Sequence, residues 1–244
     1  MRICVITPFT GLAGDMLLAA LVGAGAPLEE VRAAVASSGL TGWELRVETL
    51  LTHGLTAARA VVDTTDDATS RHAAELVAMA AKVRPAPVAE RAVAALRAIA
   101  EVEGRLHGES PDRVHLHELG GHDTLVDVIG VLAALHALDV STVYCHALPI
   151  GTGSVRTAHG LLPVPAPATA ALLQGARTVG SGSTVSIFAF FSWMICSFCA
   201  RAALQAVSTG TGPSAISERA TRPYASRSNT RASMASAERT MRRA

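Results

Sequence analysis

The chain has 244 residues, of which 50% are apolar and 17% are charged, a composition that excludes a largely disordered protein. Its formal net charge is +1: residues 1–200 hold 13 basic and 18 acidic residues, and residues 201–244 hold 8 basic and 2 acidic ones. A net charge of this size argues neither for nor against an anionic partner. We expect no nucleic-acid partner. Four scattered cysteines without framework spacing favour a reducing compartment, so we expect a cytoplasmic protein.

The first third of the chain predicts a strand, two helices and a hairpin. A hydrophobic run predicts a buried strand at 3–7, followed by a loop at 11–15. Apolar stretches that end at glycines predict helices at 16–24 and Leu28–Ser37. Alternation of apolar and polar residues predicts a strand at 43–48, with an antiparallel partner at 57–64 after a turn at His53-Gly54.

The rest of the body predicts mainly helices. They fall at 70–83, 88–107 and 123–138, followed by a short β-rich segment at 142–147, a proline-rich connector at 161–167 and a helix at 168–173. Strands and helices alternate irregularly, which predicts an α/β or α+β fold with a mixed sheet covered by helices.

The character of the chain changes after about Gly180. Residues 185–200 are apolar and uncharged, but 16 residues fall short of the roughly 20 that span a bilayer. Beyond residue 200 the chain is rich in Arg, Ser and Ala and has no hydrophobic period. We therefore predict two regions, a folded domain at 1–180 and a basic tail at 181–244 that is disordered or out of frame. A membrane anchor with a basic flank is the alternative for residues 185–200.

Three motifs could carry chemistry, and the first is a glycine loop between the first strand and helix. Gly11, Gly14 and Asp15 lie there, where backbone N–H groups and a helix N-terminus favour an anion. The alternative is a tight turn in which Asp15 caps the helix.

The second motif is a cluster of metal-ligand types at 114–123. His115 and His117 project to the same side if the chain is extended there, and they could share a metal ion with Glu118 or Asp123. Asp127, one helical turn after Asp123, could add a carboxylate. An exposed polar loop with Asp123 as a helix cap is the alternative.

The third motif contains Gly151, Gly153, Arg156 and His159. Its glycine N–H groups and the guanidinium could cradle a phosphate, and a purely structural loop is the alternative. The Arg71-His72 pair, at a predicted helix start, fits a solvated face equally well.

Taken together, the ordered motifs of residues 1–180 resemble the N-terminal half of LarC-type nickel-insertion proteins. Each motif is weak alone, but the order and spacing of the set are specific. The matching patterns are G-x-x-G-D-M, an R-H pair, V-H-x-H-E-x-G-x-x-D, P-x-x-G-x-G, H-G and P-V-P-A-P-A-T, at 11–16, 71–72, 114–123, 149–153, 159–160 and 163–169.

The resemblance implies a lyase-type nickel chelatase of nickel-pincer cofactor biosynthesis. Family members insert nickel into pyridinium-3,5-bisthiocarboxylic acid mononucleotide, in a reaction that uses CTP and a divalent cation. It implies metal ligands at His115, His117 and Glu118, phosphate-binding loops at Gly11–Gly14 and Gly151–Gly153, with Arg156 and His159, and acidic catalytic residues at Asp15, Asp123 and Asp127. A non-catalytic nickel carrier and an inactive truncated product are the alternatives.

The chain also departs from the family pattern. Thr7 and Pro8 stand where members usually carry Asp-Cys, and Gly121-His122 replaces Ala-Val. After Gly180 the expected G-E-x-x-T-P-T-G segment, the histidine-rich stretch and the nucleotide-binding half are absent. We interpret the tail as an out-of-frame product. Because some family members are made by frameshifting between two reading frames, a shorter product that works with a separate C-terminal half is the other interpretation.

Overall fold

The computed structural model describes residues 1–8, 11–65, 70–117 and 119–184, with the backbone alone over 181–184. Helices and strands are interspersed along these residues, which confirms the α/β class. The strands are β1 (Arg2–Ile6), β2 (Trp43–Thr52), β3 (Leu55–Thr64), β4 (Arg71–His72), β5 (His115–Leu116), β6 (Val140–Cys145), β7 (Leu148–Thr152), β8 (Ser154–Thr157), β9 (Gly160–Pro163) and β10 (Thr178–Thr184). The helices are α1 (Gly14–Gly23), α2 (Leu28–Ser37), α3 (Ala73–Ala80), α4 (Ala86–His107), α5 (His122–Ala137) and α6 (Pro167–Leu172).

The strands of the described residues pair two by two and form five small sheets. Strand β1 pairs with β6, and β7 with β10, in parallel; β2–β3, β4–β5 and β8–β9 are antiparallel. The predicted mixture of parallel and antiparallel pairing is therefore present, but it is divided among separate strand pairs.

Helix α5 forms the centre of the hydrophobic core. Every residue from Thr124 to Leu135 is buried, as expected for a helix that is apolar around its whole circumference. Helices α1, α2 and α4 pack against it. Gly130 allows the close approach of two of them, because a Cβ there would lie 3.1 Å from a methyl of Leu18 and 3.5 Å from a methyl of Val31.

Several elements lie where the sequence predicts them. Helix α2 has the predicted bounds, α4 and α5 are each shifted by one or two residues, and β2 and β3 pair around the predicted turn at His53 and Gly54. These elements depend on local patterns of apolar residues and glycine, which the sequence displays directly.

Two predictions of local structure are wrong. The first strand is buried on one face only: Ile3 and Val5 are 50% and 56% exposed, whereas Ile6 is 6% exposed, because successive side chains of a strand project to opposite faces and only one face of β1 is covered. The predicted connector at 161–167 begins as a strand, β9, which pairs with β8. Arg71 and His72 pair with Leu116 and His115 as a two-residue strand, and His72 is also the N-cap residue of α3, so the pair does lie at a helix start as predicted.

The predicted C-terminal tail and its apolar segment at 185–200 lie outside the described residues, and the domain boundary after residue 180 stays a prediction. Among the residues that the structure describes, no helix combines the length and the apolar character needed to cross a membrane.

Candidate metal centre

Three histidines from separate parts of the chain come together at one surface. His107, His117 and His159 each place a ring nitrogen within 4.8 Å of the other two. Metal–imidazole bonds of about 2.0–2.1 Å, as for zinc, put two nitrogens on one ion up to about 4 Å apart. Small side-chain rotations would therefore bring the three nitrogens onto one ion. We call these residues the histidine triad.

His107 is the last residue of α4. The helix stops there because Gly108 adopts a left-handed conformation (φ 69°). Glycine adopts this conformation without steric strain, since it has no Cβ, and the conformation ends the helix. The N–H of Glu109 then donates to the Gly104 carbonyl at 2.9 Å. This tight helix end fixes the position from which the His107 ring reaches the site.

His117 follows β5, where the chain alternates between solvent and core. Leu116 is 2% exposed, whereas His115 is exposed and His117 half-buried. Since alternate residues of an extended chain face the same side, both imidazoles turn away from the core. The ring centroids of His115 and His117 are 6.2 Å apart, so the predicted same-side projection is confirmed.

His159 lies in the turn that joins β8 to β9. Its backbone N–H donates to the Thr157 hydroxyl at 3.1 Å, and that hydroxyl donates to the Gly160 carbonyl at 3.2 Å. The His159 ring is 4.9 Å from both His107 and His117, measured between ring centroids. The structure thus places this residue, predicted to bind phosphate, beside the predicted metal ligand His117.

A carboxylate lies beside the triad. The Glu103 carboxylate is 3.5 Å from Nε2 of His107, one helical turn earlier on α4. A carboxylate next to a ligating imidazole holds its orientation and raises its basicity. The triad therefore has three imidazole ligands and an acidic neighbour, a set suited to nickel, zinc or copper.

His115 itself lies against a different histidine. Its ring centroid is 3.8 Å from that of His72, because the two residues are directly opposite each other in the β4–β5 pair. His115 is thus the link between this pair and His117. Glu118, the third predicted ligand, is outside the described residues.

The predicted acidic residues lie at the starts of two helices. Asp15 and Asp123 are the second residues of α1 and α5, whose N-cap residues are Ala13 and Gly121, so neither aspartate stands at the N-cap position. The Asp15 carboxylate accepts a hydrogen bond from the Met16 N–H at 2.8 Å in the first turn of α1. Asp127 is 8% exposed and adjoins Gly14, where an added Cβ would lie 2.7 Å from the Asp127 carboxyl carbon. The structure brings Gly14 and Asp127 together and leaves Asp123 exposed.

Arg71 ties the histidine segment to the start of α5. Its guanidinium donates to the Gly120 carbonyl and lies 3.6 Å from the Glu75 carboxylate. Next to this arrangement, burial and then the positive charge of Arg71 lower the pKa of His122, against the smaller opposing effects of Glu75 and Asp123.

The second predicted phosphate motif is mostly strand. Gly151 is buried within β7, and the Gly153 carbonyl accepts a hydrogen bond from the Val164 N–H at 3.0 Å. Arg156 is exposed on β8. An added Cβ at Gly11 would meet no atom within 4 Å, so that glycine borders open space. Their predicted phosphate-binding role stays a prediction.

The cysteines of the described residues are less suited to nickel than the triad. Cys4 and Cys145 are partly buried and form no disulfide. Burial raises the pKa of the Cys4 thiol, and burial together with Cys4 raises that of Cys145. Because the thiolate is the metal-binding form, these shifts favour the imidazoles.

Sequence reasoning missed His107 as a site residue. As a basic residue in the last turn of a helix it has an ordinary explanation, a favourable interaction with the helix dipole. The only local signal is its position immediately before a glycine stop, and its partners come from other parts of the chain.

Comparisons with known proteins agree with this chemistry. A family profile described as "nickel insertion protein" matches residues 4–221. A protein of Geotalea daltonii is 40% identical over 192 residues, which is 76% of this chain and 49% of the relative. One of Thermomicrobium roseum is 44% identical over 180 residues, 72% of this chain and 44% of the relative. Both are provisionally named nickel insertion proteins.

The chain spans about half the length of the curated relatives it matches, and no solved structure matches it. The family profile nevertheless covers most of the chain, including every residue of the histidine triad. The chain belongs to the nickel insertion protein family.

Proposed function

We propose that this chain binds a nickel ion on His107, His117 and His159 and presents it for insertion into an organic cofactor. The observation that carries the proposal is the convergence of three imidazole nitrogens within 4.8 Å of one another in a member of a nickel insertion family. Imidazole is a good ligand for Ni²⁺. In this function nickel is a substrate, so the ion must dissociate from the protein once it is transferred.

The geometry of the triad suits transfer better than permanent retention. His107 and His159 are exposed and His117 is half-buried, so one side of a bound ion would face solution. Three protein ligands leave further coordination positions open. The sulfur donors of an incoming dithiocarboxylate could occupy these positions before the imidazoles dissociate from the ion.

We propose pyridinium-3,5-bisthiocarboxylic acid mononucleotide as the acceptor, in a lyase-class reaction that uses CTP and a divalent cation. The acceptor's phosphate would lie near the predicted glycine motifs at Gly11–Gly14 and Gly151–Gly153. The chain spans about half the length of its relatives, and we assign the CTP-dependent step to the half of those relatives that it does not match. The uncombined thiols Cys4 and Cys145 suit a reducing cytoplasm.

Nickel binding is tested first, by calorimetric titration of the full chain with NiCl₂. The triad variant carries His107→Asn, His117→Asn and His159→Asn, and the control carries His136→Asn, an exposed histidine at the opposite end of α5, about 20 Å along the helix from His122. We expect the triad variant to lose at least tenfold in affinity and the control to match the wild type. Equal affinity in all three would refute the site.

The insertion reaction is tested with the pyridinium mononucleotide, Ni²⁺, CTP and Mg²⁺, with the nickel-containing product measured by mass spectrometry. We expect product only when this chain is combined with the C-terminal half of a relative. The length of the match also favours a second function, a nickel carrier without catalysis. In that case the C-terminal half alone would form product, and this chain would only raise the rate at limiting nickel.

A further inference from the structure

We propose that His72 and His115 form a second nickel site, which receives the ion from solution and passes it to the histidine triad. The transfer step rests on the proposed function above, whereas the site itself rests on the geometry of the two histidines. His72 belongs to the Arg71-His72 motif, for which the triad provides no role.

The strand pairing of β4 and β5 fixes the two rings in register. His72 and His115 are directly opposite partners, and their ring centroids lie 3.8 Å apart with the planes tilted by 42°. The rings are close enough that side-chain rotations which spread them slightly would place one nitrogen of each on a common ion, at metal–nitrogen bonds of about 2.0–2.1 Å, the length found for zinc.

A hydrogen bond sets the tautomer of His72. Its Nδ1 lies 2.9 Å from the Arg113 carbonyl oxygen, and a carbonyl can only accept, so Nδ1 carries the proton and donates it. In the neutral ring Nε2 then has its lone pair available for a metal ion. A backbone partner of this kind is the usual support of a ligating histidine.

The guanidinium of the adjacent Arg71 is turned away from the pair. Adjacent residues of a strand face opposite sides, and the Arg71 side chain is only 11% exposed, bound towards Gly120 and Glu75. His72 and His115 are exposed on the other side. A divalent ion can therefore approach the pair from solution without passing the guanidinium.

The pair and the triad form one continuous row of five histidines. Centroid distances are 3.8 Å from His72 to His115 and 6.2 Å from His115 to His117, and 5.3 Å from His117 to His107. The row runs from exposed rings to the half-buried His117. Two ligands hold an ion less tightly than three, so the ion moves towards the triad.

The test titrates the full wild-type chain with NiCl₂ while the ring signals of its histidines are followed by ¹H–¹⁵N NMR. The pair variant carries His72→Asn and His115→Asn; asparagine at 72 can still donate to the Arg113 carbonyl but has no Nε2. His136→Asn again serves as the control. The wild-type titration requires no substitution, so the number of ions bound by the wild type tests the second site even where a variant folds poorly.

We expect two bound ions in the wild type and in the control, one in the pair variant and one in the triad variant. Paramagnetic Ni²⁺ should broaden the His72 and His115 signals of the wild type. Unbroadened His72 and His115 signals at saturating nickel, or a pair variant that binds as many ions as the wild type, would overturn the second site. If the triad variant still binds as many nickel ions as the wild type while the pair variant binds fewer, the proposed function is refuted and the second site is supported.

The transfer step has its own readout, the rate at which nickel reaches the triad in stopped-flow mixing. We expect the pair variant to fill the triad at least threefold more slowly, with an equilibrium affinity of the triad within twofold of the wild type. An unchanged rate would overturn the transfer while leaving the second site in place.

Discussion

His117 is the residue that joins the two parts of the histidine row. Its ring lies 5.3 Å from His107 and 4.9 Å from His159 on one side, and 6.2 Å from His115 on the other. It is also less exposed than its neighbours. At the scale of single residues, the site therefore depends on how the backbone orients each imidazole.

His122 provides a pH-dependent test at this scale. Burial, and then Arg71, lower its pKa in the folded protein below the ordinary value of 6.5, so the unfolded chain binds the proton more readily. Stability should therefore fall as the pH decreases below about 6.5, and His122→Asn should weaken this fall. The measurement is urea unfolding at pH 7.5 and 5.5 without metal. The His136→Asn control should keep the wild-type fall, and an equal fall in His122→Asn would contradict the expectation.

Gly14 provides a packing test. An alanine Cβ there would lie 2.7 Å from the carboxyl carbon and 2.8 Å from Cβ of Asp127, too close for either atom. We expect Gly14→Ala to lower the free energy of unfolding by about 1–3 kcal/mol. The matched control is Gly23→Ala on the same helix, whose Cβ would lie 3.8 Å from that of Ala58; it should be as stable as the wild type or up to about 1 kcal/mol more stable. Denaturant unfolding compares them, and equal losses would contradict this account.

At the scale of elements, the β8–β9 hairpin has a small hydrophobic cluster that is separate from the main core. Val155 and Ala166 form their own small buried cluster with Leu162 and Val164, whereas the main core is built around α5. This hairpin carries His159, while His107 and His117 are joined to the main core through α4 and β5. One ligand of the triad therefore depends on a small, independent cluster.

Truncating Val155 should loosen this hairpin. Val155→Ala removes two methyl groups from a side chain that is 3% exposed, at a cost of roughly 1 kcal/mol or more. We expect nickel affinity to fall about fivefold, the factor that corresponds to 1 kcal/mol, while the unfolding midpoint of the main core changes little. Calorimetry and denaturant unfolding measure the two effects. Val143→Ala, in the main core, should show the reverse, and a parallel loss of both properties in Val155→Ala would count against a separate hairpin cluster.

At the scale of the whole molecule, the triad joins three elements that are distant in sequence: the end of α4, the segment after β5 and the β8–β9 turn. An ion bound to all three opposes their separation. Binding to the folded state alone stabilises it by RT ln(1 + [L]/Kd), so nickel should raise the stability of the whole described fold.

This coupling predicts a thermal shift. At a nickel concentration of 100 times Kd the folded state should gain about 2.7 kcal/mol, seen as a rise in Tm of several degrees. The triad variant should show a much smaller rise in Tm. The rise that it still shows reports nickel bound at other sites and to the unfolded chain. Scanning calorimetry with and without NiCl₂ makes the comparison. An equal rise in the triad variant would show that the stabilisation comes from other sites.

Much of the fold follows from local patterns. Helix α2, the β2–β3 hairpin and the centre of α5 are evident in the sequence, because hydrophobic period and glycine stops report secondary structure directly. The exposure of Ile3 and Val5 is not evident, since a short apolar run looks the same whether both faces of its strand are covered or only one. The two-residue strand at Arg71 and His72 depends wholly on a partner more than forty residues away.

By itself the sequence determined the family pattern and the H-x-H motif, in which alternation turns His115 and His117 to one side and Leu116 into the core. Only the tertiary structure decided which histidines accompany them. His107 and His159 reach His117 through the length of α4 and the packing of the β8–β9 hairpin, and His72 reaches His115 through strand pairing. A local sequence pattern does not predict these contacts, because they arise from the packing of elements that are far apart along the chain.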